Sequence, residues 1–118
     1  MKSFELKTPN SLIVIDVRLI NKAFRGDFKM ALDTACTQTF IRPEVLRAIG
    51  VLQKDFLRKI SVTTGSRNDA AYEFQIDGLE TLDFRIKKLK VVAKDLPKGL
   101  LIDGLLGLDF FGLSENHY

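Results

Sequence analysis

The sequence holds one cysteine and one histidine, and no apolar run that nears the length of a membrane span. A single cysteine, Cys36, cannot close a disulfide within the chain, and alone it cannot furnish a cysteine-rich zinc site. The histidine, His117, stands in a polar tail, so Cys–His and Ser–His–Asp nucleophilic arrangements have little to build on. Scattered acids without ligand spacing leave neither a metal nor a cofactor to be expected. A helical span needs roughly 20 consecutive apolar residues, and none is present. Met1–Lys7 is interrupted by Glu5 and Lys7 before any long apolar segment, unlike a secretory signal. The expectation is a cytoplasmic, reducing setting with no membrane partner.

Concentrated charge is also lacking. Eighteen Lys and Arg are interspersed with fifteen Asp and Glu for a net charge of +3, so no patch stands out that would neutralise a nucleic-acid backbone. The basic stretch Arg85–Lys90 reads as the solvated face and protected edge of a strand.

What is present suits one compact domain over residues 1–118, with 46% hydrophobic and 28% charged residues. Leu12–Ile20 is rich in β-branched residues and alternates from Ile15 onward, as a strand does. Asn21–Asp27 reads as a turn and Phe28–Leu32 as the returning strand of a hairpin, ending at Asp33. Between Ile41 and Gly50 the punctuation is that of a short helix. Pro43 suits the first position and Glu44 the positive end of the dipole, while Arg47 lies toward the negative end and Gly50 can stop the helix. Lys59–Thr64 and Ala70–Ile76 read as strands of a projecting hairpin around Gly65–Asp69. Asp77–Gly78 signals a tight turn into a strand carrying Leu82, Phe84 and Ile86, and the pair Lys87–Lys88 breaks the alternation, implying a bulge or turn. Beyond the loop Asp95–Gly99, Leu100–Gly112 is the most apolar segment. Gly104 and Gly107 among bulky neighbours imply another backbone or a helix passing close.

One acid is set apart. The apolar run Met30–Leu32 delivers Asp33 into the small and hydroxyl residues Thr34, Ala35, Cys36 and Thr37. Taken alone, an Asp before Thr is commonly a turn former. Cys36 reads as a small filler, Gly65 and its neighbours as an ordinary hairpin turn, and Asp109 as the cap or start of a last helix.

Taken together, three pieces change the balance. Leu32–Cys36 resembles the apolar-Asp-Thr/Ser-Gly-Ala/Ser element of the retropepsin-like aspartic proteases, with Ala35 where the family has Gly. The hairpin at Thr63, Thr64, Gly65 and Ser66 resembles their flap, and Leu105–Leu106–Gly107 with Leu108–Phe111 their apolar-apolar-Gly element. The resemblance covers roughly residues 11–112. It implies a mostly β fold, a closed antiparallel β-barrel with one or two short helices. It further implies a homodimeric aspartic endopeptidase, because the chain carries one Asp-Thr pair and a twofold axis must bring the second carboxylate. Asp33, Thr34 and Ala35 would form each half of the catalytic centre. Thr63–Ser66 would close over an extended peptide or protein substrate, and Leu105, Leu106 and Gly107 would support the site from beneath. A catalytically silent dimer that binds peptides or another protein is the alternative.

Overall fold

The computed structural model describes residues 13–33, 36–64, 67–81, 84–97 and 99–107. In chain order the elements are β1 (Ile13–Asn21), β2 (Phe24–Leu32), β3 (Phe40–Ile41), α1 (Pro43–Ala48), a 3-10 turn (Gln53–Asp55), β4 (Arg58–Thr64), β5 (Arg67–Thr81), β6 (Phe84–Ala93) and β7 (Gly104–Leu106). The strands lie in the order β1-β2-β7-β3-β6-β5-β4, and β1 also pairs with β5. Six strands therefore close on themselves, and β4 hangs outside on β5. The barrel is mixed: β2–β7 and β3–β6 are parallel, and the other pairs are antiparallel.

The hairpin β1–β2 forms as the alternation predicts, but its turn is shorter than expected. Asn21 pairs with Phe24, so Lys22 and Ala23 alone make the turn, and Phe24–Asp27 belong to β2. Lys22 takes a positive φ of 58°, as a two-residue hairpin turn of the primed type requires at that position. Its N–H donates to Asp77 Oδ2 at 2.6 Å. Inward residues of β1 follow period two through Val17, Leu19 and Asn21, and the buried Asn21 amide donates to the Ile49 carbonyl at the end of α1, 3.2 Å away.

The expected turn at Asp77–Gly78 does not form. Both lie within the long strand β5, and the chain reverses between the paired residues Thr81 and Phe84 instead. Asp77 gives its carboxylate to the β1–β2 turn, and Gly78 is buried where β1 crosses β5. The break of phase at Lys87–Lys88 is real, yet it is neither a turn nor an insertion. Ile76 faces Leu89 and Gly78 faces Lys87 in one unbroken register, while Lys88 sits at φ 58°. That left-handed residue lets buried Ile86 be followed by buried Leu89.

The helix α1 begins at Pro43 and carries Glu44 in its first turn and Arg47 in its last. Gly50, at φ 82°, follows its end. Val45, Leu46 and Ile49 lie against Phe74, Ile76, Leu89 and Leu106, which with Val17, Leu19 and Met30 form the barrel core. Burial of such side chains stabilises by roughly 1.5–3 kcal/mol each, so this cluster outweighs the ion pairs of the exposed faces.

Candidate active site

Asp33 lies one residue beyond β2, buried with 5% of its surface exposed. Its backbone is fixed by a strand that arrives from far along the sequence. Met30, Ala31 and Leu32 pair in parallel with Gly104, Leu105 and Leu106, and Asp33 N–H donates to the Leu106 carbonyl at 2.9 Å. On its other side β7 pairs with β3 through Leu105–Phe40 and Gly104–Ile41. The apolar strand is thus threaded between the two strands that flank the loop holding Asp33.

Both glycines of this segment admit the close approach that their setting implies. A β-carbon on Gly104 would lie 2.5 Å from the Phe40 carbonyl oxygen, and one on Gly107 would lie 2.2 Å from that of Gln38. Gly107 N–H donates to Thr39 Oγ1 at 3.3 Å, and the carbonyl of this fully buried threonine accepts Val92 N–H at 2.9 Å. Cys36 N–H donates to the Asp33 carbonyl at 3.1 Å, and Cys36 Sγ stands 3.2 Å from Asp33 Oδ2. Asp33, Leu106 and Gly107 are therefore brought together, with Leu106 in the barrel core. Leu105 packs with Ala31, Leu96 and Ile102 on a second, smaller cluster. Thr34 and Ala35 lie outside the described residues, as do Asp109, Gly65 and Ser66.

The hairpin of β4 and β5 forms with Thr63 opposite Asn68 and Thr64 opposite Arg67. The hairpin joins the site scaffold through Val62 and Ala71, which pack on Val92 with Phe40 and Ile60 against them. Phe40 opens β3, the strand entered directly from the Asp33 loop.

Two contributors escape sequence reasoning. Thr39 looks like any hydroxyl residue before an apolar pair. Arg42 precedes the helix without distinction, yet its guanidinium donates to the carbonyls of Ile102, Leu96, Leu100 and Pro97 at 2.7, 3.0, 2.8 and 3.2 Å. Its partners lie 54 to 60 positions away, so nothing local marks it. Arg42 N–H also donates to the Asp103 carbonyl, and Asp103 in turn exchanges hydrogen bonds with the backbone of Lys29. The segment leading into β7 is thereby laced to both β2 and the start of α1.

Several charges on the outer faces are paired. A surface hollow of about 600 Å³ across β1, β2 and β5 is bordered by Arg18–Asp27 at 3.0 Å and Lys29–Asp16 at 2.6 Å, and Asp33 is not in its lining. Hydrogen bonds to Asp27 and Asp16, then their negative charge, push Arg18 and Lys29 above their usual pKa ranges. Among the described residues no group of three or more His, Cys, Asp or Glu is placed to hold a metal ion. No helix among them is long and apolar enough to cross a membrane.

Comparison with known proteins agrees with this architecture. No curated protein matches the chain. The crystal structure of a retropepsin-like aspartic protease from Rickettsia conorii is similar in fold, with a TM-score of 0.66 over 89% of this chain and 74% of that one at 15% identity. A family model described as aspartyl protease matches residues 16–110, from β1 through the Asp33 loop and the flap-like hairpin to the strand that pins the acid. That match spans most of the chain and every element built around Asp33, and by it the chain belongs to the aspartyl protease family, on a retropepsin-like barrel.

Proposed function

We propose that two copies of this chain form an aspartic endopeptidase, each supplying Asp33 to one catalytic dyad. The observation that carries the reading is the placement of Asp33: a buried carboxylate at the end of β2, its backbone tied to Leu106 and its loop seated on Gly107. One Asp-Thr pair per chain makes half a dyad, so a twofold axis beside the loop would complete it. Two carboxylates about 3 Å apart share a single proton, because both cannot ionise cheaply at that distance.

The chemistry follows from that shared proton. The ionised Asp33 takes a proton from a bound water as the oxygen attacks the scissile carbonyl carbon. The protonated Asp33 of the second copy gives its proton to the carbonyl oxygen. The resulting gem-diol collapses when a proton passes to the amide nitrogen and the C–N bond breaks, and the free acid and amine leave. In this reading Thr34 ties the two loops across the axis, and Ala35 is the small residue beside which the peptide backbone passes. Thr63, Thr64, Gly65 and Ser66 cover an extended substrate, whose main chain would pair with the flap hairpin and shed water.

Cleavage of an extended-peptide library by the native chain and by Asp33→Asn, from acidic to neutral pH, tests the assignment. Loss of at least about a hundredfold in kcat/KM is expected for the variant, given the 10²–10⁴ that general acid–base catalysis alone supplies. Cleavage that survives the substitution would remove Asp33 from the mechanism.

A further inference from the structure

The thiol of Cys36 is a side-chain donor directed onto the candidate acid, with Sγ 3.2 Å from Asp33 Oδ2. The residue is also held on its backbone. Its N–H closes the turn onto the Asp33 carbonyl at 3.1 Å, and its own carbonyl oxygen lies 2.9 Å from where a β-carbon on Gly107 would be. The half-buried sulfur therefore has little freedom to leave a carboxylate that is itself 5% exposed. A thiol is a weak donor, but a hydrogen bond to a charged acceptor is stronger than one to a neutral group. Fixing one oxygen of a carboxylate also fixes the plane of the group, and with it the direction in which the other oxygen presents its lone pairs.

From this geometry we propose that Cys36 is a positioning residue for Asp33: its S–H donates to Oδ2 and orients the carboxylate for proton transfer. The inference rests on the protease reading above and adds to it a role for the residue that the sequence alone suggests is filler. Cys36 acts through Asp33 and forms no bond with substrate, so its removal should lower turnover and leave substrate binding in place.

Because Cys36 is the only cysteine, the S–H stretching band of the whole protein reports on this one thiol. Infrared spectra of the native chain and of Asp33→Ala are compared first. A band shifted to lower frequency in the native protein supports the donor role, and a band indifferent to the acid overturns it, whatever the enzyme does. Peptide cleavage is then measured for Cys36→Ala and Cys36→Ser. The expected result is a fall of about tenfold in kcat with little change in KM for the alanine variant, with most of the rate restored by serine, which keeps a donor of similar reach. Equal kcat in the native and alanine proteins would refute the positioning role while leaving the protease reading intact. A shifted band in a native protein that cleaves no peptide would refute the protease reading and the proposal with it, while the thiol–carboxylate contact stood.

Discussion

A β-carbon on Gly107 would meet backbone, the carbonyls of Gln38 and Cys36, and backbone in a loop held at both ends cannot step aside as a side-chain tip can. Gly107→Ala must therefore push the end of β7 away from the Asp33 loop, loosening the hydrogen bonds to Thr39 and from Asp33 to Leu106. We expect a destabilisation of about 3 kcal/mol in urea titration, at the upper end of the range for overpacked sites. Gly99→Ala serves as the control: nothing lies within 4 Å of its added carbon, and a change within about 0.5 kcal/mol is expected. Similar losses at the two positions would show that the tight contact at Gly107 is unimportant. Arg42 stands at the same scale with the opposite chemistry. One guanidinium satisfies four carbonyls of a segment with no ladder of its own, so the fork geometry that lysine lacks is what the position uses.

Among the elements, β6 stores a local cost. Lys88 holds φ at 58°, a region disfavoured for residues with a β-carbon, and it lies between Lys87 and Leu89, whose pairs with Gly78 and Ile76 keep one register through the change of phase. Lys88→Gly removes that strain but adds freedom to the unfolded chain, and the balance is a gain of about 0.5 kcal/mol, read as a rise in thermal midpoint. A fall would mean that the lysine side chain contributes more than its backbone costs. How much of the elements the sequence disclosed follows from where their causes lie. The helix was legible because Pro43, Glu44, Arg47 and Gly50 act within a few residues of one another. The β1–β2 pairing, the flap-like hairpin and the close approaches at Gly104 and Gly107 were legible because alternation and bulky surroundings are local too. Gly26–Asp27 and Asp77–Gly78 carry equally strong local turn signals and yet continue as strands. The contacts that decide there are remote: Asp77 closes the Lys22 turn, and Gly78 accommodates the crossing of β1. Two parallel pairings in a barrel expected to be antiparallel went unread for the same reason, since both depend on where β6 and β7 come to rest. At the site, Asp33 and Gly107 stood out by their neighbours, whereas Thr39 and Arg42 act on partners far along the sequence.

For the whole molecule the decisive quantity is how many chains make one site. If each copy brings one Asp33, activity per chain must fall on dilution below the dissociation constant, with rate approaching the square of protein concentration. Sedimentation over the same range should show the matching change in mass. Specific activity that stays flat where the protein sediments as a monomer would sink the shared dyad. The insertion of β7 between β2 and β3 also has a consequence in time. The hairpins β1–β2, β4–β5 and β5–β6 close over short loops, whereas β7 must find its slot across most of the chain, and such remote closures come late and slowly. A chain still being synthesised, with β7 not yet made, lacks the carbonyl that anchors Asp33. The loop that carries the acid is therefore fixed only when the last strand has entered the barrel.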